Sequence, residues 1–174
     1  MKNKRTVTTP LLTFRALVIS GLALYFSTLA LADNQTLENK MSENIEYKLI
    51  SGEFSVDLSP QADTSSPAGR MLIDKTYFGA LSGSGIGQMI SKRTEEGASV
   101  YFAIEEFDGS LNGAQGTFTL THKGLMSAEG LSLEVEILAG SGSGELQDIS
   151  GSMTIIQKDG KHFYELSYKL PESF

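Results

Sequence analysis

The chain has 174 residues, no cysteine, 14 basic and 21 acidic side chains and a net charge of −7. The lack of cysteine excludes a disulfide framework, a thiolate zinc site and a cysteine nucleophile. The acidic balance argues against nucleic acid and anionic membrane surfaces as partners, because both are bound largely through Lys and Arg.

Residues 1–32 open with "MKNKRTVTTPLLTFR", four basic residues and no acid, and continue as the apolar run "ALVISGLALYFSTLALA". Ala30 and Ala32 form an A-x-A site, so the pattern is that of a secretory signal peptide cleaved after Ala32. An uncleaved anchor is the alternative, although the 17-residue run from Ala16 to Ala32 falls short of the roughly 20 that span a bilayer. Cleavage leaves ten basic residues against 21 acidic ones, a net charge of −11. The expected location is the periplasm or the exterior, with no membrane association once the leader is gone.

A polar, aperiodic tether follows over 33–44, and one domain of 45–174, long enough for a sizeable core. Alternation begins at "GEFSVDL", where Phe54, Val56 and Leu58 share one face. It returns in "GTFTLTHKG" with Phe118 and Leu120, in "LSLEVEIL" with Leu131, Leu133, Val135 and Ile137, and in "YELSYKL" with Tyr164, Leu166, Tyr168 and Leu170. Turn signals separate these segments: "SPQADTSSPAG", "TEEG", "FDGS", "HKG" and "KDGK". Eight strands are predicted near 45–58, 69–79, 80–91, 98–107, 112–122, 129–139, 144–157 and 162–170. Helical periodicity is missing, and short turns imply antiparallel order. The predicted fold is therefore all-β, a single eight-stranded antiparallel β-barrel whose closure removes exposed edges. A β-sandwich is the alternative.

Two G-x-L-x-G segments, "GALSG" from Gly79 and "GSLNG" from Gly109, lie 30 residues apart. Two copies do not make a repeat architecture, and glycines at bulges or corners of a small barrel explain them. The run "LAGSGSGELQDISGSM" suggests a phosphate cradle, but no lysine and no helix follow it. It reads instead as a barrel corner.

His122 continues the inward parity of Phe118 and Leu120, which suits either a general acid or base in a cavity or a hydrogen-bonded strand-end residue. His162 sits beside "KDGK" and is expected in a solvated turn. Glu95 and Glu96, like Glu105 and Glu106, are neighbours on strands and point to opposite faces, so neither pair forms a dyad, and most are expected to be solvated. Glu145 follows the glycine run, where it could reach a cavity mouth or cap backbone amides. No metal constellation, cofactor motif or serine elbow is visible. Tyr101, Phe102, Phe107, Phe118, Tyr164 and Tyr168 form an aromatic set expected in the core. A barrel of eight strands can be filled by such side chains or can hold one small ligand. Tyr101, Phe118, His122, Tyr164 and Tyr168 are then the candidate lining.

"YFGALSGSG", "ASVYFAIEEFDGSLNGAQGTFTLTHKG" and "AGSGSGELQDISGSM" together resemble the bacterial domain-of-unknown-function family 3224 (DUF3224), over roughly 45–170. The resemblance implies a barrel similar to that of allene oxide cyclase, with His122 on the family's histidine and Glu145 on its glutamate. Ser143 stands where threonine is usual. The family has no established activity, and fold kinship alone assigns none. Two functions fit the sequence: a non-catalytic exported barrel binding a small apolar ligand, and an isomerase or cyclase using His122 and Glu145 on a reactive apolar molecule. A third is an envelope protein acting through its acidic surface.

Overall fold

A computed structural model describes residues 46–62 and 67–171; the leader and the tether lie outside the described residues. Eight strands follow in chain order: β1 (Lys48–Pro60), β2 (Gly69–Gly79), β3 (Leu81–Arg93), β4 (Ser99–Leu111), β5 (Ala114–Ser127), β6 (Gly130–Ile137), β7 (Ser150–Lys158) and β8 (Lys161–Lys169). Each pairs antiparallel with its chain neighbours, and β1 pairs with β8, which closes the barrel. The sandwich alternative is thereby excluded.

Period-two patterning drives this closure, because every strand has one apolar face to bury and a closed sheet buries all of them together. Several boundaries differ from the sequence reading. "FDGS" and "HKG" lie inside β4 and β5 and not in turns. The β4–β5 reversal is made by Asn112 and Gly113, both with positive φ, a conformation that an Asn-Gly pair adopts at little cost in a tight hairpin. The seventh strand begins at Ser150 and not at 144, because Gly144–Leu146 form a short 3-10 turn, η1.

The two G-x-L-x-G segments turn out to be partners. Gly83 pairs with Gly109 and Leu81 with Leu111 across β3 and β4. A methyl on either glycine would strike the opposite backbone, so the strands approach there only because both side chains are absent. Leu81 and Leu111 are buried.

The glycine-serine run solves an edge problem. β6 pairs only with Leu120 to Ser127 of β5, so the first half of β5 lacks a strand partner on that side. The run passes along it: Leu138 N donates to Thr119 O at 2.9 Å and Ser143 N to Thr117 O at 2.9 Å. Ser141 Oγ accepts from Thr119 N at 3.0 Å, and Glu145 Oε2 accepts from Gln115 N at 2.8 Å. The chain then drops Leu146 and Ile149, both buried, into that end of the barrel.

The core is therefore asymmetric. At the end closed by η1, Leu81, Phe107, Leu111, Phe118, Tyr164 and Tyr168 fill the interior, with Phe107 and Phe118 stacked at 4.7 Å between ring centroids. Tyr164 Oη accepts from Leu81 N at 3.0 Å and lies 3.2 Å from Leu81 O, tying β8 to β3 across Gly52 of β1. Towards the other end the inward residues Met71, Met89, Tyr101 and Ile155 are only half-buried.

Candidate functional site

Between the filled end and the open end lies a layer of polar side chains. On β2, the inward parity of Ile73 and Tyr77 is shared by Lys75; on β4, that of Ala103 and Phe107 is shared by Glu105; on β5, that of Phe118 and Leu120 is shared by His122. All three are buried, as is Tyr77. Lys75 Nζ donates to Glu105 Oε2 at 2.6 Å and Tyr77 Oη donates to Glu105 Oε1 at 2.7 Å. These contacts run from β2 to β4 past β3, a path open only through the interior. β3 allows it by placing Gly85 opposite Lys75 and Phe107. A methyl at Gly85 would collide with the Glu105 carboxylate.

His122 completes the layer. Its Nε2 lies 3.1 Å from Glu105 Oε2 but makes no aligned hydrogen bond, so the contact is close but off-axis. Lys75 Nζ also donates to Tyr77 Oη at 3.3 Å, and it lies 4.9 Å from the centre of the Phe54 ring, a cation–π distance. His162 lies with its ring tilted against Phe54, 5.3 Å between ring centroids. It is thus the second residue of β8, half-buried against an aromatic ring, and not a solvated turn residue.

Burial pushes the Glu105 carboxyl up, but His122, the Lys75 ammonium and the Tyr77 hydroxyl together outweigh it and hold the group down at about 2. Glu105 is therefore an anion across the ordinary pH range. Tyr77 moves the opposite way, raised by burial and by the adjacent Glu105 charge, and stays a neutral donor. The arrangement is rich in donors. Lys75 has three N–H groups and gives two of them to Glu105 and Tyr77, while the carboxylate is already surrounded. The donor capacity left on Lys75 suits an acceptor oxygen.

The residues singled out from the sequence separate into three groups. His122 sits in the polar layer. Phe118, Tyr164 and Tyr168 are at most 4% exposed and fill the closed end, so they pack the interior and do not line an open space. Tyr101 lies over Gly124 at the open end, where a methyl on that glycine would enter its ring. Burial raises the Tyr101 phenol. Glu145 is exposed at η1, its carboxylate taken by Gln115 N; the fold uses it at the edge of β5, and His122 finds Glu105 instead. Phe102, grouped with the core aromatics, faces outward at 47% exposure, as the opposite parity to Tyr101 requires. Glu105 departs from the expectation of solvated acids, while Glu106 does point outward and accepts from Thr119 Oγ1 at 3.0 Å.

Sequence reasoning passed over Lys75 and Tyr77 and set Glu105 aside as one of a pair of strand acids expected in solvent. The available signal was parity: a lysine and a glutamate each occupy the apolar face of a strand, in the β2 segment "MLIDKTYFG" and the β4 segment "FAIEEFDG". Among the described residues, no group of three His, Asp or Glu side chains could hold a metal ion.

The family model for proteins of unknown function DUF3224 matches residues 50–168. A solved structure of a protein with unknown function from that family, from Shewanella oneidensis MR-1, is similar at a TM-score of 0.69 and 36% identity. The match covers 74% of this chain and 100% of that one. No curated protein matches the chain.

Proposed function

The chain belongs to the DUF3224 family, and we propose that it is an exported barrel that binds one small, mainly apolar molecule in the open half of its interior, through an acceptor oxygen on that molecule. The observation that carries this reading is the Lys75–Glu105–Tyr77–His122 layer. A buried ion pair is expensive to desolvate, and well-packed apolar residues of similar volume often serve stability as well or better. Charges kept in the centre of an otherwise apolar barrel therefore argue for a role in recognition. The half-buried Met71, Met89, Tyr101 and Ile155 would meet the apolar part of the ligand, and Lys75 and His122 its oxygen. Export rests on the leader, and the absence of nucleic-acid partners on the acidic balance.

Thermal shift against a panel of small apolar carbonyl and carboxyl compounds tests the proposal. A binding compound should raise the melting temperature of the natural protein, and the rise should shrink in His122→Ala. No rise with any member of the panel, together with an open end filled by side chains in a crystal, would sink the idea.

A second reading, an isomerase or cyclase similar to allene oxide cyclase, draws on the His122–Glu105 contact. A histidine 3.1 Å from a buried carboxylate is placed to act as an acid or base, and confinement limits the conformers of a reactive molecule. Turnover should then vanish in His122→Ala while the circular dichroism spectrum is retained; undiminished turnover would count against it. Glu145, bonded to the β5 edge, has no part in this version.

A further inference from the structure

The outer wall of the barrel carries an apolar face on β2, β3 and β4. Leu72, Ile86, Ile90, Phe102 and Ile104 are each between 36% and 60% exposed. They border a groove of about 540 Å3 that Gln88 and Glu106 also line. Contiguous apolar surface of this kind commonly marks an interaction site.

The strand register orders the outward residues into rows. The first row is Asp74, Ile86 and Glu106. The middle row is Leu72, Gln88 and Ile104. The third is Arg70, Ile90, Phe102 and, on β5, Lys123. The face is thus acidic on one side of its apolar centre and on the other carries Arg70 and Lys123, the latter 3.3 Å from Glu134 of β6 in the same row.

That pattern is self-complementary. A two-fold axis lying in the contact plane along the middle row sets the first row of one copy over the third row of another. Ile86 then meets Ile90, Asp74 meets Arg70, and Glu106 lies over Phe102 with Lys123 beside it. Gln88 and Ile104 meet their own counterparts, as residues on the axis of an isologous interface must. We propose that this face is the interface of a homodimer. A partner of uniform charge would match one side of the patch and be repelled by the other; a second copy inverted by the two-fold matches both. The apolar rows provide the burial, and the flanking charges fix the orientation.

Sedimentation velocity of the purified protein tests this, with circular dichroism as the control for folding. The natural protein should sediment at twice the mass of one chain. Ile104→Glu places two carboxylates face to face at the axis, and should give a monomer with an unchanged spectrum, since Ile104 is exposed. Asp74→Arg alone should weaken the dimer by bringing two basic groups together, and adding Arg70→Asp in the same chain should restore it, because the two-fold reverses both signs at once. A natural protein that stays monomeric at all concentrations, or an Ile104→Glu variant that stays dimeric, would overturn the proposal. So would a monomer that floats with phosphatidylcholine vesicles, which would give the face to a lipid surface.

Discussion

A carboxylate whose side chain is wholly buried ordinarily takes up a proton, and Glu105 does not, because Lys75 and Tyr77 of β2 donate to it and His122 of β5 lies against it. Its folded value of about 2 lies below the ordinary 4.5. The sign follows directly: a depressed acid contributes stability that is fully present above the unfolded value and is lost as pH falls through the folded one. Stability should therefore decline between about pH 4.5 and pH 2, by roughly 3 kcal/mol for a shift of this size, as read from urea midpoints. Glu105→Gln should lose about the same amount near neutrality, since it strands the Lys75 charge, and should flatten the acid limb. At the other extreme Tyr77, raised above its ordinary value of 10.0, adds stability below pH 10 that is lost as pH climbs towards the folded value. At this scale the sequence was half legible. The inward direction of His122 followed from parity with Phe118 and Leu120. Its partner did not, because the Lys75–Glu105 contact spans 30 positions, and only the closure of β2, β3 and β4 around Gly85 brings the two together.

Elements were read well where alternation was strong and poorly where glycine was dense. β2 matched its expected limits at both ends. "FDGS" and "HKG" look like turns by composition, yet Gly109 and Gly124 sit in strands where a neighbour needs the space: the opposite backbone at Gly109 and the Tyr101 ring at Gly124. The run from Leu138 to Met153 was read as a corner; its part before Ser150 connects β6 to β7 outside any strand, and its end belongs to β7. Only the tertiary structure discloses its task, which is to satisfy the part of β5 that β6 leaves bare. Glu145→Ala should then cost about 1 kcal/mol in chemical denaturation, the ordinary worth of one hydrogen bond. It should also speed hydrogen exchange at the Gln115 amide. A loss of ligand binding or turnover without these two effects would return Glu145 to the functional site.

For the molecule as a whole, the ladder is continuous except at one seam. β4 and β5 pair along their length from Ser99 to Leu111, whereas β6 and β7 meet through Glu136 and Ser152 alone. Local opening should begin where backbone pairing is thinnest. The amides of β6 and β7 nearest the open end should accordingly exchange faster than those of β4, as measured by hydrogen–deuterium exchange and mass spectrometry; equal protection around the barrel would refute this. By itself the sequence determined the class, strand number and order of the fold and the family, because these rest on local alternation, turn residues and contiguous motifs. The tertiary structure alone decided which end of the barrel is filled, where the charges meet and what the outer wall presents. Those depend on register, and a register is a relation between strands that no single strand contains.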